Sequence, residues 1–242
     1  MGRYSVPLAA AFADAAGVDA GRTALDVGCG PGALTAELVR RLGTENVAAV
    51  DPSEPFVEAC RRRHPGVDVR LGRAESLPHP DGRFDAALAQ LVLHFVADPE
   101  AATREMQRVA RPGGVVAACV WDFGDGMRML QAFWEVALAL DPAAPTEAET
   151  RRFGREGQIA ELFEGCGLVD VVDGSLTVEA GYEDFDDFWT PFLGAVGPAG
   201  SYATSLSGER RERLREELRA RIGSPTGTFA LPARAWYAAG RA

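Results

Sequence analysis

The chain has 242 residues, of which 47% are apolar and 25% charged, and a formal net charge of −10. That length fits one sizeable domain carrying a lid or insertion. The acidic balance argues against nucleic acid, whose phosphates need a basic face, and leaves room for a small cationic ligand.

In chain order, an Ala-rich N-terminal segment within 1–20 predicts a helix over Leu8–Ala16, and Thr23–Val27 is a short apolar strand. Ala33–Leu42 sets Leu34, Leu38 and Leu42 on one helical face, with Gly43 as its stop. Val47–Val50 is the second strand. Ser53 is placed to cap a helix that carries Phe56, Val57 and Cys60 and ends before His64-Pro65-Gly66. Val67–Leu71 and Phe84–Ala89 read as strands. Asp98-Pro99 starts a helix to Ala110, and Pro112-Gly113-Gly114 turns into the strand Val115–Trp121. Beyond it come helices over Met127–Leu140 and Gln158–Phe163, then a long strand Leu168–Val178 broken near Asp173-Gly174. Phe185, Phe188, Trp189 and Phe192 follow at helical spacing, then a charged helix Gly208–Ile222 and a last strand Thr228–Tyr237. Strands separated by helices predict βαβ units in a doubly wound α/β sheet, and residues 181–224 read as a helical lid between the last two strands.

Cys29, Cys60, Cys119 and Cys166 are scattered without a CxxC, which predicts reduced, buried thiols in the cytoplasm and no metal site. Asp14 interrupts the apolar start, so no signal peptide is expected, and no uncharged apolar run reaches the roughly 18 residues of a membrane span.

The most informative stretch is Leu25-Asp26-Val27-Gly28-Cys29-Gly30-Pro31-Gly32, an apolar strand running into a glycine turn and a helix, with Asp51 ending the next strand. The carboxyl ends of neighbouring strands line a ligand crevice in such sheets, and a carboxylate there suits a ribose diol. The spacing Gly28-x-Gly30-x-x-Ala33 also satisfies the relaxed dinucleotide fingerprint, so an NAD(P)-dependent oxidoreductase is an alternative. Asp26 would repel a diphosphate, and Pro31 removes one N–H from any phosphate cradle. A phosphate-free ligand carrying an ammonium group fits better.

The stretch 25–32 resembles motif I of class I S-adenosylmethionine-dependent methyltransferases. Asp51 matches their ribose-binding acid, and Gly72-Arg73-Ala74-Glu75-Ser76-Leu77-Pro78 resembles the loop whose Ala-acid pair flanks adenine. Phe84-Asp85-Ala86 through Gln90-Leu91-Val92-Leu93-His94 and Arg108 to Gly114 resemble the fourth strand and the approach to the fifth. The likeness covers about residues 20–122 and is nearest the type 11 small-molecule subgroup that includes quinone-biosynthesis enzymes.

The resemblance implies a single methyltransferase domain over 1–242, a Rossmann-like, mostly parallel seven-stranded sheet whose last strand is antiparallel, and methyl transfer from S-adenosylmethionine to a small-molecule acceptor. A non-catalytic cofactor binder of the same fold is a further alternative. Implied cofactor contacts are Gly28, Cys29 and Gly30 at the methionine part, Asp26 at its amino group, Asp51 and Pro52 at the ribose, Ala74 and Glu75 at the adenine, and Gln90 and Leu91 along the methionine chain. Asp26 also reads as a carboxylate bonded to turn amides, Asp51 as a helix cap and Glu75 as a loop charge, and Glu75 stands where many relatives have Asp. The resemblance implies Arg3 and Tyr4 over the cofactor carboxylate, with a disordered N-terminal segment as the alternative. In-line displacement needs a base only when the acceptor must lose a proton, and His94 is the candidate, with a structural role as its alternative. His64 reads as a helix end and His79 as loop; Trp121, Phe185, Trp189 and Phe192 could line an apolar acceptor pocket or form core.

Overall fold

Apolar runs and glycine turns alternate through the first half of the chain, and the backbone follows them. The computed structural model describes residues 2–145, 152–195 and 197–242. Strands β1 (Ala24–Val27), β2 (Val47–Asp51), β3 (Asp68–Leu71), β4 (Phe84–Gln90), β5 (Ala110–Trp121), β6 (Val169–Tyr182) and β7 (Phe229–Arg241) form one seven-stranded sheet in the order β3-β2-β1-β4-β5-β7-β6. The pairs from β3 through β5 are parallel, and β7 runs antiparallel to β5. β1 and β2 are buried along their whole length, as strands covered on both faces must be.

The helices are α1 (Gly2–Ala15), α2 (Ala33–Leu42), α3 (Glu54–Arg63), α4 (Pro99–Val109), α5 (Arg128–Leu140), α6 (Gln158–Gly165), α7 (Phe185–Trp189), α8 (Gly197–Ser205) and α9 (Gly208–Arg221). Asp98 caps α4 through Ala101 N–H at 2.9 Å with Pro99 in the first turn, as its sequence predicts. Ser53 occupies the N-cap of α3 but makes no side-chain cap bond; its own N–H donates to Asp51 instead.

The boundaries shift where packing overrides local signals. α1 begins at Gly2, across Pro7, because Tyr4, Leu8 and Phe12 share one face and are fully buried. Gly174 does not break β6: a side chain there would lie 3.1 Å from the Tyr237 ring, so the glycine makes room for it. The Pro112-Gly113-Gly114 turn is a bulge inside β5, where Phe84 pairs with Ala110 but Ala86 with Val115. Sequence periodicity missed α8, whose buried face consists of Ala199, Gly200 and Ala203.

The chain divides into two compact units. One comprises the chain up to Trp121 with Arg152–Leu176 and Ala235–Ala242; the other comprises the described residues from Asp122 to 145 and Thr177–Arg234. The expected lid, 181–224, falls in the second unit. There Phe185, Phe188, Trp189 and Phe192 are buried against one another and against Phe133, which stacks on Phe192 at 4.7 Å, so the aromatic stripe is core. In the first unit Trp121 is also core, packed edge-on by Tyr4 at 6.1 Å. No described helix is long and apolar enough to cross a membrane.

Candidate functional site

The sheet order reverses beside β1: the chain runs β1, β2, β3 outward on one side and resumes with β4 on the other. Ligands bind at such a switch point, outside the carboxyl ends of the strands. A cavity of about 830 Å³ lies there, wholly within the first unit, lined by the ends of β1, β2 and β4, the first turn of α1 and the end of α3.

The glycine turn after β1 is its floor. Gly28, Gly30 and Gly32 all hold positive φ, at 73°, 52° and 92°, a region that only glycine enters freely. Gly28 and Cys29 N–H both donate to Val50 O, at 2.7 and 3.0 Å. Asp51, closing β2 and nearly buried, accepts from Gly30 N–H at 2.8 Å through Oδ2 and from Ser53 N–H at 2.8 Å through Oδ1. One carboxylate, which also lines the cavity, therefore cross-links the turn to β2, and each oxygen keeps further acceptor capacity.

Asp26 lies beneath the turn. Thr35, in the first turn of α2, donates its hydroxyl to Asp26 Oδ2 at 2.6 Å, and its backbone amide bonds the same carboxylate. Burial pushes its carboxyl up to about 7; the Thr35 hydrogen bonds oppose the shift and the nearby Asp51 charge adds to it. Cys29 borders the cavity, but its hydrogen bond with Cys60 and its burial push its thiol up, so it is no nucleophile at neutral pH.

From β4, Gln90 donates Nε2 to Ser5 O at 2.9 Å, while its buried Oε1 has no protein partner among the described residues. Leu91 is held at φ 63°, a strain of about 1–3 kcal/mol in a non-glycine residue. Its N–H donates to Cys119 O at 2.8 Å, and strain of this kind collects at functional sites.

Asp26, Gly28, Cys29, Gly30, Asp51, Pro52, Gln90 and Leu91 thus share one cavity. Ala74, Glu75 and His94 do not line it. Glu75 turns to its own loop, accepting from Ala97 N–H at 3.2 Å and pairing with Arg73 at 3.4 Å. His94 lies on a short 3-10 turn, Leu93–Phe95, with its ring 3.9 Å from that of Phe95; the neighbour, not the histidine, borders the cavity. Tyr4 points into the core, and Gly2, Ser5 and Val6 line the cavity in place of the expected Arg3 and Tyr4. Sequence reasoning also missed Phe56, Arg63, His64 and Phe95 as lining residues. Of the lining residues, Val6, Phe56 and Phe95 are large apolar side chains that remain exposed, at 65%, 47% and 69%.

A family model described as a methyltransferase domain matches residues 25–118. The chain is similar to a fatty-acid O-methyltransferase from Mycolicibacterium smegmatis, 35% identical over 116 residues covering 47% of this chain and 42% of that protein. It is also similar to a malonyl-acyl-carrier-protein O-methyltransferase from Halorhodospira halophila, 32% identical over 161 residues covering 63% and 50%. The chain spans between a third and a half of the length of the curated relatives it matches, 33% to 50%. In three dimensions it resembles a protein assigned as a type II methyltransferase from Anaeromyxobacter dehalogenans, with a TM-score of 0.64, 24% identity and coverage of 99% and 97%, a likeness of fold. Residues 25–118 of this chain are therefore similar to a methyltransferase domain, and the likeness of fold extends over nearly the whole chain.

Proposed function

We propose that this chain transfers a methyl group from S-adenosylmethionine to a small-molecule acceptor by in-line displacement. One observation carries the reading: the glycine turn and Asp51 are bonded to each other at the mouth of β1 and β2, with Asp26 buried directly beneath. The residues present fit the cofactor. The orphaned Gln90 Oε1 is a buried acceptor suited to an ammonium donor. Nothing lies within 4 Å of where a side chain on Gly30 would be, so a ligand can approach that backbone closely.

When bound, S-adenosylmethionine supplies an activated methyl group on a positive sulfur. Asp51 holds the ribose hydroxyls through its remaining lone pairs while keeping Gly30 in place. Asp26 gains charge as a cation settles near it, because a neighbouring positive group favours the ionised carboxylate. Gln90 anchors the amino-acid end and is itself anchored by Ser5. These residues orient and enclose; positioning supplies much of the acceleration in such a displacement.

For the acceptor we favour an apolar carboxylic acid over nucleic acid. The net charge of −10 disfavours a polyanion. Val6, Phe56 and Phe95 put apolar surface at the cavity. The two named relatives act, by their names, on a fatty acid and on a malonyl carrier conjugate. A carboxylate is already ionised at neutral pH, so such an acceptor requires no base. We place the protein in the cytoplasm, a reading supported by its four free cysteines. The test is methyl transfer from labelled S-adenosylmethionine across a panel of carboxylic acids, phenols and amines. Labelled methyl esters support the reading; labelled ethers or amines alone would exclude the carboxylate class, and no labelled product at all would leave only a cofactor binder.

A further inference from the structure

A turn with three residues at positive φ is costly to order, so whatever holds it decides how ready the cavity is for a ligand. The first half of the turn is tied to β2 through Val50 O and Asp51. The second half is tied to another element, the C-terminal end of α3. Arg63 Nη1 donates to Pro31 O at 2.8 Å. His64 Nε2 lies 3.1 Å from Gly32 O. A carbonyl only accepts, so that contact requires the hydrogen on Nε2. Gly32 O also accepts from Ala36 N–H at 3.0 Å, which makes it the first carbonyl of the α2 ladder. The imidazole fills the space of a Gly32 side chain, whose Cβ would lie 2.7 Å from Nε2. Cys60, one turn earlier on α3, bonds Thr35 Oγ1 at 3.7 Å, and Thr35 holds Asp26.

We propose that Arg63 and His64 are positioning residues that clamp the Pro31 and Gly32 carbonyls from α3 and so set the affinity of the cavity for its adenosyl ligand. Neither is assigned a catalytic step. The clamp holds the second half of the turn from α3, while Asp51 holds the first half from β2. This inference rests on reading the cavity as the S-adenosylmethionine site.

The experiment compares wild type, His64→Ala, His64→Gln and Arg63→Ala by calorimetric titration with S-adenosylhomocysteine and by amide hydrogen exchange over the turn. Loss of one hydrogen bond predicts a Kd raised about three- to tenfold in His64→Ala. His64→Gln, which restores a side-chain N–H donor, returns most of it. Exchange at Gly32 and Ala33 rises in both alanine variants, with or without ligand. A packing role alone would lower the melting temperature and leave Kd unmoved. Unchanged turn exchange, or an unchanged Kd in His64→Ala, overturns the clamp. If wild type itself binds no S-adenosylhomocysteine, the reading of the site fails, and the exchange data still decide whether α3 orders the turn.

Discussion

Burial without a cation leaves the Asp26 carboxyl titrating at about 7 instead of its ordinary 3.8. The folded state then keeps a proton that the unfolded chain releases, so stability falls as pH rises from near 4 through 7. Below that window the contribution is fully present; above it, about 4 kcal/mol has gone. Asp26→Asn removes the titration and keeps an acceptor for Thr35. The unliganded variant is expected to match wild type near pH 4 and to exceed it in denaturation midpoint at pH 8, while binding the adenosyl ligand more weakly. Parallel pH–stability curves would remove Asp26 from this role. At Asp51, loss of charged hydrogen bonds worth roughly 1.5–3 kcal/mol each predicts cofactor binding weakened about ten- to a hundredfold in Asp51→Ala. An unchanged dissociation constant by calorimetry would take Asp51 out of the site. Both acids were legible because each stands at a fixed offset from an apolar strand and a glycine turn. Ser5, His64 and Phe95 were not, since what brings them to the cavity is the return of α1, α3 and the segment after β4 to the same sheet edge.

Among the elements, α1 couples folding to the site. Its buried face holds Tyr4 against Trp121, and its exposed side presents Ser5 to Gln90. Tyr4→Ala is expected to cost about 3–5 kcal/mol of stability, the range for large aromatic truncations in a core. Because Ser5 anchors Gln90, ligand binding weakens along with it; a titration showing full affinity in a destabilised protein would separate the two roles. The Ala-rich composition placed the start of this helix at Leu8, whereas burying Tyr4 carries it across Pro7 to Gly2. Similarly, Gly174 and Pro112-Gly113-Gly114 carry turn chemistry but serve strands, one by admitting Tyr237 and the other as a bulge. α8 had no legible stripe, since small residues bury without raising hydropathy.

For the whole molecule, the strand order places the reversal point next to β1, and the glycine turn, Asp51 and Gln90 converge there because each ends a strand at the same sheet edge. The parallel core was legible from alternating strand and helix patterns. The division into two compact units was not, because β6 and β7 each contribute residues to both. The most direct test of the account is one calorimetric comparison of S-adenosylhomocysteine with NAD at pH 7, in wild type and Asp51→Ala. The account predicts saturable binding of the adenosyl compound, weakened in Asp51→Ala, and no heat from NAD. Binding of NAD as tight as that of S-adenosylhomocysteine, or no binding of the adenosyl compound, would contradict it.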